Sequence, residues 1–88
     1  MSSAAPSANK PVQSAREALA LNLIRLRAKR GWSQEALAFE AGFHRTFIAH
    51  IERQARNISL DNIERIARTF GLQAYQLLTP NVFDRAES

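Results

Sequence analysis

Residues 31–52 read GWSQEALAFEAGFHRTFIAHIE, and this stretch decides the fold, because it encodes two short helices joined by a tight glycine turn. Ser33, followed by Gln34 and Glu35, suits the N-cap of the first helix, where a hydroxyl accepts from a free amide of the opening turn. Leu37, Ala38 and Ala41 then fall on one face at helical spacing. Gly42 can take the left-handed conformation that stops the helix. A second helix is predicted from about His44 to Arg53, and a turn of about 100° per residue separates its side chains into two arcs. Arg45, Thr46, Ala49, His50 and Arg53 share one arc, while Phe47, Ile48 and Ile51 occupy the other. Such a helix packs on a core through its isoleucines and offers guanidinium, hydroxyl and imidazole groups outward, a set suited to DNA base edges and phosphates. The layout is that of a helix-turn-helix, whose second helix enters the major groove.

Upstream, residues 1–13 are rich in Ser, Ala and Pro, and Pro6 and Pro11 block a continuous helix, so this tail is expected to be disordered. From about Ser14 a helix is predicted to run to Arg30, with Ala15, Leu19, Leu23 and Leu26 as its core stripe and Gly31 as its stop. Leu21 and Ile24 lie off that stripe and are either isolated exposed apolar side chains or part of a protein interface. Downstream, a loop from Gln54 to Ile58 leads to Ser59, an N-cap for a fourth helix that turns Ile63, Ile66, Ala67 and Phe70 inward before Gly71 ends it. A last short helix from about Ala74 to Leu78 closes the domain with Leu77 and Leu78, and Pro80 opens a polar tail over residues 80–88. The expected architecture is all-α: a compact five-helix domain over residues 14–79 with no strand patterning and no repeats.

A chain of 88 residues holds one small domain of marginal stability, for which oligomerisation is a natural supplement. Its net charge of +4 favours a polyanionic partner. Before Gly31, six basic residues face only Glu17, whereas the segment after Ile58 is slightly acidic. The absence of cysteine excludes a disulfide framework and thiolate metal sites and fits a reducing cytoplasm. The N-terminus lacks the apolar stretch of a signal peptide, and no run is long enough to span a bilayer, so a cytoplasmic, nucleoid-associated protein without a membrane partner is expected. The Asn57-Ile58-Ser59 sequon then signifies only a loop and a cap.

The pattern GxSQExLAxxAGxHRTFIxxIER, followed by RNxSL and RIAxxFGL, resembles the Cro/repressor-type helix-turn-helix family, also called XRE. The likeness runs from about Leu19 to Leu78, with several motif blocks in the family's order and close to its spacing. It implies a lambda-repressor-like DNA-binding fold and a transcriptional regulator of double-stranded DNA. Within the family the likeness extends to compact single-domain members such as the controller proteins of restriction-modification systems. One departure is Gln54, where the family commonly has glycine. The recognition helix then either ends differently or holds a non-glycine residue in the left-handed region at a cost of about 1 kcal/mol.

Arg45 and Thr46 stand at the start of the second helix of the motif, where base edges are read. Arg45 suits a bidentate contact to guanine, and Thr46 a thymine methyl or a phosphate. His50 projects one turn on as a further base or phosphate contact. Gln34 resembles the family glutamine that joins a helix N-terminus in gripping a phosphate. Arg53 and Arg56 extend the phosphate contacts, with Asn62 as a weaker candidate, and His44 serves as an N-cap or phosphate contact. Phe47 sits at the edge of the apolar arc, where the family often has an aromatic side chain packed near the sugar-phosphate backbone. Resemblance also pairs Glu52 with Arg27 in a partly buried ion pair. His44 and His50 lie on different faces of a helix, which argues against a metal site. No cofactor or small-molecule ligand is indicated.

One recognition helix reads too few base pairs to pick a site from a genome, so a homodimer on an inverted repeat is expected. By analogy with family members that dimerise through the C-terminal end, its contacts involve Tyr75 and Leu78, continuing through Val82 and Phe83. An antitoxin that uses the same module while masking a toxin partner is the alternative, and an adaptor that has lost DNA binding is a third. No paired catalytic carboxylates, activated nucleophile or phosphate-binding glycine loop can be assembled, so an enzyme is not expected.

Overall fold

The computed structural model describes residues 14–55 and 57–80. The tail up to residue 13, Arg56, Val82 and Phe83 lie outside the described residues. Those described form five helices and no strand: α1 (Ala15–Arg30), α2 (Gln34–Ala41), α3 (Arg45–Glu52), α4 (Leu60–Thr69) and α5 (Ala74–Leu78). None is long and apolar enough to cross a membrane.

The helix boundaries follow local chemistry. Ser14 caps α1 through its hydroxyl, which accepts from the Glu17 amide, while the Glu17 carboxylate accepts from the Ser14 amide in a reciprocal capping box. Ser33 and Ser59 cap α2 and α4 by accepting from the amides of Ala36 and Asn62. The predicted end of α3 departs from glycine chemistry: Gln54 sits at φ 60°, in the left-handed region. Its amide donates to the Ile51 carbonyl at 2.9 Å. The strained alternative foreseen for Gln54 is the one adopted, and Gln54→Gly should relieve it. An increase in stability of about 0.5–1 kcal/mol is expected, raising Tm by several degrees in thermal melts, because glycine alone adopts this conformation without steric cost.

Leu19, Leu23 and Leu26 of α1 pack with Leu37, Ala38 and Ala41 of α2, Ile48 and Ile51 of α3, Ile63, Ile66 and Ala67 of α4, and Leu77 of α5. Phe70, just past α4, completes this core, stacked against the half-buried Trp32 with ring centroids 5.5 Å apart. Ala15 departs from its predicted core position. It lies at the first residue of α1 and is exposed, lining a shallow surface groove with Arg16, Ile58 and Leu60, and Ala18 takes the buried place instead. Of the two side chains off the stripe, Leu21 is half-buried and Ile24 exposed.

Asn22 is fully buried among these apolar groups, a placement absent from the sequence reading. Its side-chain amide donates to the carbonyls of Leu77 at 2.8 Å and Thr79 at 3.0 Å. The end of a helix leaves carbonyls without intrahelical partners. Asn22 satisfies two of those around the end of α5 and so ties this five-residue helix to α1.

Candidate nucleic-acid interface

Gly42, at φ 81°, ends α2, and the chain turns through Phe43 and His44 into α3. Ile48 and Ile51 anchor α3 in the core, so its orientation is fixed from behind. Arg45, Thr46 and Arg53 are exposed on the opposite face, with Ala49 and His50 half-buried between them.

A surface cleft runs between the start of α2 and the outer face of α3. It is lined by Arg27, Ser33, Gln34, Glu35, Arg45, Thr46, Ala49 and Arg53. The fold therefore brings Gln34 together with Arg45, Thr46 and Arg53. His44 lies in a neighbouring hollow with Phe39, Phe43 and Arg45. It occupies the N-cap position of α3, but its side chain makes no capping hydrogen bond, since an imidazole lacks the short reach of a serine or aspartate oxygen. Phe47 is half-buried against Phe43, ring centroids 4.8 Å apart. Asn62 is half-buried in the first turn of α4, and neither it nor His50 lines the cleft. Tyr75 is 69% exposed, whereas Leu78 is half-buried and packs against the core.

Beneath the cleft lies a polar network. Arg27 donates through Nε to Glu52 Oε2 at 2.7 Å and through Nη2 to Glu52 Oε1 at 2.8 Å, a bidentate pair. Its remaining Nη1 donates to the Trp32 carbonyl at 3.0 Å. The two charged side chains are only 17% and 5% exposed. The hydrogen bond to Glu52 holds the Arg27 guanidinium above its ordinary pKa, against the opposing effect of burial and with help from the carboxylate charge. Gln34 Nε2 also donates to Glu52 Oε1, at 2.9 Å. The pairing implied by resemblance thus has a third member, which orients the side chain at the mouth of the cleft.

Two contacts escaped the sequence reading. Glu35 approaches Arg45 at 3.8 Å with both side chains exposed, a pairing that solvent leaves weak. From α4, Arg65 donates through Nε to the Ala41 carbonyl at 2.9 Å and through Nη2 to the Gly42 carbonyl at 2.7 Å. An arginine on the polar side of an amphipathic helix carries no local sign of a partner 24 residues away.

Comparison with known proteins agrees with the fold. The sequence model of the Helix-turn-helix family matches residues 23–77. A hypothetical transcription factor of Neisseria meningitidis serogroup B is 47% identical over 68 residues, which span 77% of this chain and 64% of that protein, somewhat under two thirds of its length. A crystal structure of a hypothetical transcription factor NHTF from Neisseria superposes with a TM-score of 0.73 at 42% identity, over 81% of this chain and 87% of that one. Control protein C.BamHI of Bacillus amyloliquefaciens is 56% identical over 55 residues, 62% of this chain and 67% of its own length. The restriction-modification controller protein C.Esp1396I, solved as a tetramer in complex with its natural 35 base-pair operator, superposes with a TM-score of 0.64 at 25% identity, covering 73% of this chain and 88% of that one.

Proposed function

This chain belongs to the helix-turn-helix family of DNA-binding transcription regulators, of XRE type, and on that premise we propose that it is a sequence-specific regulator binding an inverted-repeat operator as a homodimer. The observation that carries the proposal is the cleft in which Gln34, Arg45, Thr46 and Arg53 converge from two helices. Its donors suit one strand of duplex DNA. Gln34 and Arg53 grip phosphates, and Arg45 and Thr46 reach base edges from the first turn of α3 in the major groove. His50 adds a contact one turn further along α3, and His44 and Phe47 meet the backbone at its start. Asn62 and Arg56 extend the phosphate track.

Two copies related by a two-fold axis double the sequence read and set half-sites about one helical turn apart. The operator complex of C.Esp1396I supports an assembly of more than one copy on DNA. The interface is assigned to the exposed Tyr75 with Leu78 beside it. Restriction-modification controllers among its relatives support a role in the control of genes. The place of action is then the nucleoid.

The test is selection of bound duplexes from a random pool at about physiological salt, followed by sequencing. Enrichment of an inverted repeat supports the proposal. Weak, sequence-blind binding that fades as salt rises sinks it, and directs attention to a toxin or other protein partner. Tyr75→Asp tests the interface without threatening the core, because the side chain is largely exposed. Light scattering should show monomers, and operator affinity should fall by about 100-fold or more as the two half-sites cease to be bound together. A variant that stays dimeric would move the interface elsewhere.

A further inference from the structure

We propose that Arg65 is a positioning residue for DNA recognition, setting the angle at which α3 is presented by clamping the turn that precedes it. The inference rests on the reading of α3 as the DNA-reading helix, and adds to it a residue outside the cleft.

The last carbonyls of a helix lack intrahelical partners and lie at the negative end of its dipole. At the end of α2 the Arg65 guanidinium meets both needs, donating to Ala41 O and Gly42 O. The same group lies over the Phe43 ring, 4.2 Å from its centroid, within the range of a cation–π contact. Phe43 in turn packs on Phe47, in the first turn of α3. One planar side chain from α4 therefore touches the end of α2, the turn and, through two rings, the start of α3 beside Arg45 and Thr46.

Gly42 completes the arrangement. A Cβ at this position would stand 3.0 Å from Arg65 Nη2, so glycine here admits the guanidinium as well as the positive φ. Lysine is a poor substitute, since its donors radiate from a single nitrogen and cannot reproduce the spaced Nε and Nη2 fork that meets the Ala41 and Gly42 carbonyls.

The test compares Arg65→Lys with wild type on two probes: the duplex that wild type selects from a random pool, and a scrambled duplex of equal length. Affinity for the selected duplex should fall about tenfold and that for the scrambled duplex change less than about twofold, since charge is kept and only the fork is lost. Circular dichroism at the assay temperature establishes that both proteins are folded. Equal losses on the two duplexes, or a lower salt slope, would make Arg65 a phosphate contact and overturn the proposal. Unchanged affinity for the selected duplex would overturn it as well. Phe43→Leu provides a second reading should the lysine variant prove unfolded: the same selective loss is expected, and wild-type selectivity would sink the idea. If wild type itself selects no sequence, the functional reading fails, and that outcome is distinct from wild-type selectivity that Arg65→Lys leaves intact.

Discussion

Arg45→Ala is expected to abolish discrimination at one base pair in each half-site of the selected operator while leaving the melting temperature within about a degree of wild type. A bidentate arginine–guanine contact is worth about 1–3 kcal/mol of discrimination, so losing it from both copies costs about 2–6 kcal/mol, roughly 30-fold to 10⁴-fold in affinity. The fold should not register the loss. The side chain is exposed, and its nearest carboxylate, Glu35 at 3.8 Å, is itself 75% exposed. Breaking that pair to reach a base costs little, because solvent screens it. Selection repeated with the variant is the measurement: the enriched repeat should become degenerate at a single position per half-site and stay sharp elsewhere. A uniform loss across all sequences would instead mark Arg45 as a phosphate contact.

Glu52→Ala should act in the opposite way, on the fold first. The carboxylate side chain is 5% exposed and accepts from Arg27 twice and from Gln34 once. Removing it leaves the Arg27 guanidinium, 17% exposed, without its counter-charge. Breaking a buried pair from one side costs about 3–5 kcal/mol, a large share of the 5–15 kcal/mol available to a small domain. Thermal melts should therefore show Tm lowered by about 12 °C or more, at the roughly 4–8 °C per kcal/mol usual for a domain of this size. Replacing both partners, as Arg27→Met with Glu52→Leu, should recover much of that loss, since no lone charge then remains buried. A Tm for Glu52→Ala within two or three degrees of wild type would show that the pair contributes no net stability.

What was legible in the sequence is what local chemistry writes. Serine caps, glycine stops and the isoleucine face of α3 each involve residues within one or two turns of one another, and all five helices lie where those signals put them. The outward face of α3 was legible from helical periodicity, whereas Gln34 was singled out only through resemblance, and the cleft that it shares with Arg45 emerged from the packing of α2 on α3. The pairing of Arg27 with Glu52 was accessible only through resemblance, because nothing in either residue's neighbourhood names a partner 25 positions away. Asn22 and Arg65 were missed on the same ground. Asparagine in a helix and arginine on a helix surface both read as solvated, and only the packing of α5 on α1, and of α4 on α2, supplies the carbonyls that they bind. Ala15 was misplaced because periodicity extends back to the first residue of a helix, whereas the neighbours that would cover it do not.

The bond from Gln34 to Glu52 bears on how such a protein diverges. Arg45, Thr46 and Ala49 face the cleft without contributing to the core, so exchanging them carries little penalty to folding, and under the proposed function would alter operator preference. Gln34 has less latitude, because replacing it removes one of the hydrogen bonds to the largely buried Glu52 carboxylate. On the proposed reading, drift in base preference is thus uncoupled from drift in backbone grip.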